Sequence, residues 1–291
     1  MERSEPPLIV IVGPTASGKT GIAVELARRY GGEIICADSR TVYRDMNVGT
    51  AKPTLEEQQG VPHWGIDLIS PEERFTAADF QQYAYQKIRE IQGRGHVPFV
   101  VGGTGLYVDG LLFSYEFGPE PDSQYRHELE RMSLEDLQKH SQKNNIILPE
   151  NPRNKRQLIR TIEQKNINTK RNYKPFENSI VVGIATDREI LNQRIEQRIE
   201  QMFDNGVVQE AIKLGEMYSG KTEAFTSDYY PIIHRMLAGV YDEVEAKRLL
   251  VIRDRQLAKR QMTWFRRNPF IEWSTLADAR KNITRLLGKN L

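Results

Sequence analysis

Near its start the chain reads Leu8-Ile-Val-Ile-Val-Gly-Pro-Thr-Ala-Ser-Gly-Lys-Thr20, and the rest of its organisation can be worked out from that segment. The apolar run before Gly13 is short and rich in β-branched residues, the composition of a strand buried on both faces. Residues 18–30 then place Ile22, Ala23, Leu26 and Ala27 at helical spacing. Between strand and helix, Gly13, Pro14, Thr15, Ala16, Ser17, Gly18, Lys19 and Thr20 satisfy G-x-x-x-x-G-K-[ST] in full. A loop of this kind turns its backbone N–H groups and the helix N-terminus toward phosphate oxygens. Lys19 adds a point charge, and the Thr20 hydroxyl is the expected ligand for Mg²⁺. A glycine turn that merely joined strand to helix would have no need of Lys-Thr after its second glycine.

Outward from this segment the pattern is strand, then helix, repeated. Strands are predicted at 33–37, 97–101 and 179–185, and helices at 76–91, opened by Thr76-Ala-Ala-Asp79, and at 187–202. Such alternation predicts an α/β fold, a P-loop NTPase-like parallel sheet flanked by helices. About 75 residues separate the third strand from the fourth, far more than a crossover needs. They show helical periodicity around 126–140 and no strand-like run. The predicted organisation is therefore a core of 1–114 and 179–291 with C-terminal helices, interrupted by a helical insertion domain, 115–178, projecting from the ligand face.

Composition excludes several classes. With 291 residues, 39% hydrophobic and 27% charged, the chain falls in the ordinary globular range. The one cysteine, Cys36, rules out an internal disulfide framework and a cysteine-built zinc site. No basic stretch followed by an apolar run opens the chain, so a cytoplasmic location without membrane attachment is expected. Lys and Arg number 41 against 39 Asp and Glu, a net charge of +2 that does not by itself announce a nucleic-acid binder. The distribution says more. Residues 153–174 carry eight basic side chains and one acid, Glu163, and residues 253–267 carry six against Asp254. Charge runs are commonly solvated helix faces, but two in a nearly neutral chain point to a polyanionic partner.

The loop alone does not say which polyphosphate is bound. Nucleotide hydrolases usually add an apolar strand ending in Asp, whereas residues 97–101 run into Gly102-Gly-Thr-Gly105. The nearest candidate acid is Asp38, just past the second strand and so at the carboxyl edge where ligands of parallel sheets sit. It is a candidate for metal orientation or for general base, the alternative being a helix cap with Ser39.

At this point the residues resemble one family closely, the tRNA dimethylallyltransferases, also called tRNA isopentenyltransferases. The resemblance is carried by Gly13 to Thr20, by Ala37-Asp-Ser39 with Val42-Tyr43, and by Asn47-Val-Gly-Thr-Ala-Lys-Pro53. It extends to Ala78-Asp-Phe-Gln81, Val101-Gly-Gly-Thr-Gly-Leu-Tyr107 and Arg255-Gln-Leu-Ala-Lys-Arg-Gln-Met-Thr-Trp-Phe-Arg266. It is dense over residues 9–112 and 253–267 and looser between. What it implies is transfer of a dimethylallyl group from dimethylallyl diphosphate to N6 of the adenosine immediately 3′ of the anticodon. The phosphate loop would then hold a prenyl diphosphate, with Mg²⁺ as cofactor. By the same resemblance Asp38, Thr104 and Lys19 are the expected catalytic residues, and Asp38 accepts the N6 proton.

Arg194 and Arg198, four apart on one helix face, are expected to meet the diphosphate; the competing reading is pairing with Glu196 and Glu200. Expected tRNA contacts are Asp38, Ser39, Arg40, Thr41, Thr104 and Arg126. Arg156, Gln157 and Arg160 would form one jaw around the anticodon arm, and Arg255, Gln256, Lys259 and Arg260 the other. Trp264 and Phe265 are read first as packing residues and second as base-stacking ones. A monomer is expected. The chain departs from the family at Leu148-Pro-Glu-Asn151, at Asp228-Tyr-Tyr-Pro-Ile232 and at Arg40-Thr41, where Met-Gln is usual. Two rival readings are a P-loop small-molecule or nucleotide kinase using ATP, and an RNA-binding protein whose loop no longer catalyses. Neither accounts for both the intact Gly-Lys-Thr and the paired basic clusters.

Overall fold

The structure, a computed structural model, describes residues 5–118, 122–149, 151–165, 172, 174–218, 223–226 and 229–290. Leu8–Val12 forms β1, with all its residues buried. It is followed by α1 (Lys19–Tyr30), β2 (Gly32–Ala37), the short α2 (Leu55–Gln58), β3 (His63–Trp64), α3 (Ala77–Gly93), β4 (Val97–Gly102) and α4 (Gly105–Leu112). Helix α3 opens on the expected capping box: the Thr76 hydroxyl accepts from the Asp79 amide, and the Asp79 carboxylate accepts from the Thr76 amide.

Next come α5 (Ser123–Arg131), α6 (Leu134–Lys143) and α7 (Lys155–Gln164), then β5 (Ser179–Ile184), α8 (Arg188–Asp204) and α9 (Val207–Met217). The chain continues through α10 (Tyr229–Leu237), α11 (Glu243–Phe265), β6 (Glu272–Ser274) and α12 (Leu276–Asn290). By contacts it separates into two compact units, residues 1–112 with 175–291, and residues 113–174, against the 115–178 read from the sequence.

In the larger unit the strands order as β3-β2-β4-β1-β5-β6, every neighbouring pair parallel. Four strands are predicted from the sequence, and six are found among the described residues. The additions, β3 and β6, are too short to carry a period of alternation. Ile22, Leu26, Ala279, Ile283 and Leu287 of α1 and α12 pack on Ile9, Ile11, Ile34 and Phe99 of the sheet. Each of the buried Ile, Leu and Phe side chains contributes about 1.5–3 kcal/mol. A second apolar cluster joins Val42, Tyr43 and Met46 to α8, α9, α10 and α11 through Ile199, Leu214, Tyr230 and Leu250. Because Val12 and Ala37 both align with Gly102, the carboxyl ends of β1, β2 and β4 are level. Among the described residues, no helix is long and apolar enough to cross a membrane.

The smaller unit has its own core of Leu129, Leu137, Ile146, Leu158, Ile159 and Ile162. The helix expected around 126–140 is two helices. Ser133 breaks it by capping α6, its hydroxyl accepting from the Asp136 amide. Glu163, the lone acid of the first basic cluster, is 3% exposed and accepts from both Nε and Nη2 of Arg126 at 2.7 Å. The cluster's Lys170 and Arg171 lie outside the described residues.

Candidate active site

The turn of the phosphate loop into its helix is set by backbone geometry, and side chains then hold the loop from outside. Gly18 caps α1 at φ 86°, a left-handed conformation that glycine takes without strain. The Ser17 amide donates to the Pro14 carbonyl at 3.2 Å, and Lys19 Nζ reaches the same carbonyl at 3.2 Å. Lys19 is half-buried. Loss of water pulls its pKa down to about 8; Asp38 works against that shift and Arg198 adds to it. Thr20 stands exposed at the mouth of the loop.

Across the level strand ends, β2 delivers Asp38 and β4 delivers Thr104. Asp38 Oδ1 accepts from the Arg40 amide at 2.8 Å, and the Thr41 hydroxyl donates to the Asp38 carbonyl at 3.4 Å. These bonds fold the chain back and hold the carboxylate at the strand end. Thr104 joins the two loops, its hydroxyl oxygen accepting from the Ser39 amide at 3.0 Å and its own amide donating to the Ala37 carbonyl at 3.2 Å. Gly102 makes the crossing possible, since a Cβ there would lie 2.0 Å from the Ala37 carbonyl oxygen. Cys36 faces the same space, but burial and then Asp38 push its thiol up to about 12, so it is not a nucleophile near neutral pH.

Helix α8 supplies both expected arginines. Arg194 Nη1 donates to the Ser17 carbonyl at 3.3 Å, and Arg198 Nη1 donates to the Thr15 hydroxyl. The competing partners are engaged elsewhere, Glu196 with Arg255 and Glu200 with Lys247. Burial alone would lower the Arg198 pKa; nearby Tyr229, Asp254 and Asp38 outweigh it, and the net shift is upward. Among the described residues, neither Arg198 Nε nor the fully buried Ser17 Oγ has a hydrogen-bond partner.

Three residues that the sequence reading did not assign complete the walls. Asp254, 1% exposed, accepts from the Tyr229 hydroxyl. Gln261 accepts from the Thr15 amide at 2.8 Å and donates to the Gly103 carbonyl at 3.1 Å. A signal was present: Asp254, Gln261 and Asn268 recur every seven residues on the stripe that holds the buried Leu250, Ala258 and Phe265. Polar residues on a buried stripe require partners: those of Asp254 and Gln261 are at the site, and that of Asn268 is Asp109, away from it.

Another omission is Glu210 of α9, which accepts from the amides of Asn47, Val48 and Gly49 at 2.7–2.8 Å and from the Tyr230 hydroxyl at 2.9 Å. It fixes the segment whose Gly49, Thr50 and Ala51 line the site. Tyr230 belongs to the segment that departs from the family pattern, of which Asp228 lies outside the described residues. Together these groups enclose a cavity of about 390 Å³, bordered by Lys19, Asp38, Thr104, Arg198, Tyr229 and Gln261 among others. That volume suits a small ligand with one charged end.

The remaining expected contacts fall into three groups. Ser39, Arg40, Thr41 and Arg260 border the cavity with Asp38 and Thr104. Arg255, Gln256 and Lys259 are exposed on α11, and Arg156 and Gln157 are exposed on α7. Arg126 and Arg160 both reach Glu163, Arg160 at 3.4 Å within α7 itself, so Arg126 is the cation that ties α5 to α7. Phe265 is fully buried, as a packing residue is, whereas Trp264 donates from Nε1 to Asp109 at 2.6 Å and remains 38% exposed.

The oxygen donors fit magnesium. Thr20 and Asp38 border the same space, and among the described residues no group of three or more His, Cys, Asp or Glu could hold a metal ion. A hard cation that keeps its waters and takes phosphate oxygens needs only such a sparse protein shell.

Comparison with known proteins points one way. The IPP transferase family model matches residues 41–268. The tRNA dimethylallyltransferase of Alkaliphilus metalliredigens is 38% identical, the alignment taking in 98% of this chain and 96% of that one. Its counterpart from Bacillus pumilus is 37% identical over 94% of this chain and 91% of its own. Among solved structures, the full-length tRNA isopentenylpyrophosphate transferase from Bacillus halodurans superposes with a TM-score of 0.75 at 37% identity, covering 99% of this chain and 98% of that chain. A eukaryotic dimethylallyltransferase acting on tRNA superposes with a TM-score of 0.74 over 93% of this chain and 74% of that chain; at 22% identity the likeness concerns the fold.

Proposed function

Because the chain belongs to the IPP transferase family, we propose that it moves the dimethylallyl group of dimethylallyl diphosphate to N6 of the adenosine immediately 3′ of the anticodon in tRNA. The observation that carries this reading is the meeting of an anion-binding loop, a carboxylate and a hydroxyl around one cavity at the level ends of β1, β2 and β4. A nucleotide hydrolase or kinase would more commonly end β4 in Asp, and β4 ends here in glycine.

The chain's groups divide the work by charge. The loop amides, Lys19, Arg194 and Arg198 bind the diphosphate. As C1–O breaks, its electron pair leaves with the diphosphate, and those fixed cations and dipoles stabilise the growing negative charge. The N6 lone pair forms the new C1–N bond, and Asp38 accepts the N6 proton. The Arg40 amide holds the Asp38 carboxylate, the Thr41 hydroxyl holds the Asp38 carbonyl, and Thr104 fixes Ser39 beside it. Mg²⁺, held by the Thr20 hydroxyl and donor oxygens with Asp38 nearby, would supply further neutralisation of the leaving group.

The exposed cations of α7 and α11 are proposed to grip the anticodon arm through phosphates, which gives affinity, while the cavity reads the extruded base. A tRNA substrate fits a cytoplasmic protein, and we take the chain to act as a monomer. The test is to incubate the protein with Mg²⁺, labelled dimethylallyl diphosphate and unmodified tRNA carrying that adenosine. Label is expected in RNA without ATP. Asp38→Asn should lower kcat by about 10²- to 10⁴-fold. Movement of phosphate from ATP to a small acceptor, with no label in RNA, would replace this reading by the kinase one.

A further inference from the structure

Gln261 touches both loops that frame the cavity, and its amide suits that position in a way no neighbouring side chain does. Its Oε1 accepts the Thr15 N–H of the phosphate loop at 2.8 Å, and its Nε2 donates to the Gly103 carbonyl beyond β4 at 3.1 Å. The fit is close, because a Cβ at Gly103 would lie 2.3 Å from Gln261 Nε2. Gly103 precedes Thr104, whose hydroxyl oxygen accepts from the Ser39 amide, and Ser39 follows Asp38. The Thr15 whose amide Gln261 takes also receives Arg198 on its hydroxyl. One side chain thus sits between the group that holds the donor's phosphates and the group that presents the base. Trp264, a turn further along α11, seats against Gly105 and donates to Asp109, so the contact between α11 and the second loop does not depend on Gln261 alone.

We propose that Gln261 is a positioning residue, setting the separation between the phosphate loop and the Gly102–Thr104 loop and thereby the alignment of the departing diphosphate with Asp38. The proposal rests on the prenyl-transfer reading of the cavity for its kinetic consequence, but not for its effect on phosphate binding. An error of about 1 Å in such an alignment costs about 10²-fold in rate. Only a side chain with both an acceptor and a donor at this length satisfies the two loops at once. Methionine has the length and neither group; glutamate keeps the acceptor for Thr15 and sets a carboxylate against the Gly103 carbonyl.

The experiment compares the full-length protein with Gln261→Met and Gln261→Glu. It measures kcat, donor KM and tRNA KM below the melting temperature, the melting temperature itself, and binding of inorganic pyrophosphate by calorimetry. For Gln261→Met the expected result is a fall in kcat of about 10- to 100-fold, a several-fold rise in donor KM, a tRNA KM within about twofold, and several-fold weaker pyrophosphate binding. Gln261→Glu should lose at least as much kcat, and it supplies the same comparison should Gln261→Met not fold. Variants that melt earlier but keep kcat, donor KM and pyrophosphate affinity within about twofold would overturn the proposal. If the unaltered protein transfers no prenyl group and Gln261→Met still loses pyrophosphate affinity, the loop-spacing role stands and the prenyl-transfer reading falls.

Discussion

Raising the pH should loosen the hold on the prenyl donor, with a midpoint set by Lys19. Its pKa is drawn from 10.5 to about 8, chiefly because burial strips water from the ammonium; Asp38 opposes this and Arg198 reinforces it. A lowered pKa on a base means that the cation is present below about 8 and lost above it. At pH 9, a unit above that value, about one molecule in eleven keeps the charge. The second ionisation of a phosphate lies near 6, so the donor's own charge is constant across the window and the change belongs to the protein. With the neutral amine contributing little attraction, donor KM should rise about tenfold between pH 7 and pH 9, equivalent to about 1.4 kcal/mol of binding. The assay is initial rates against dimethylallyl diphosphate at saturating tRNA and constant ionic strength, from about pH 6.5 to about 9.5. Lys19→Arg keeps its charge throughout and should give a flat donor KM, whereas Lys19→Met should be weak and flat. A flat profile for the unaltered protein up to about pH 9.5 would refute the reasoning, because Lys19 would then be either fully charged or irrelevant to donor binding.

Two further outcomes follow from the site's surroundings. Glu210→Gln removes the charge that three amides and Tyr230 share, so the protein should lose about 1–3 kcal/mol of stability in urea unfolding, and donor or RNA KM should rise as the 47–51 segment loosens. Lys259→Glu should weaken tRNA binding and reduce the slope of log affinity against log salt by about one, measured by filter binding; an unchanged slope would remove Lys259 from the RNA contact.

The centre of the fold was open to sequence reading because its signals are local. β1 is a pure apolar run before a phosphate-loop pattern, and Thr76 with Asp79 announces the start of α3 by composition alone. β3 and β6 were not readable, since two or three residues at a sheet edge owe their conformation to neighbours rather than to propensity. The break at Ser133 had a visible cue, Ser133-Leu-Glu-Asp136, which was outweighed by periodicity across it. Lys19, Asp38 and Thr104 were legible at the site because each sits beside a glycine-rich or strand-end motif. Glu210 was not, because its role is bonds to backbone amides about 160 residues away in sequence, and Gln261 showed only as a polar residue on a buried stripe, its partner lying 246 residues away. Asp254 is the sharpest case. In the sequence it dilutes a basic run; in the structure it faces inward while Arg253 and Arg255 beside it face out.

The smaller unit leaves and re-enters the chain at one point, for the Asn172 amide donates to the Phe113 carbonyl at 2.8 Å, and its helices close on a core of their own. A segment stitched at its root can be exchanged without retracing the sheet. The exposed Arg156 and Gln157 lie on that segment, so the RNA contact proposed for them can be altered without touching the phosphate loop or Asp38. Whole cassettes of this kind should be transplantable between relatives, carrying substrate preference with them and leaving the reaction behind.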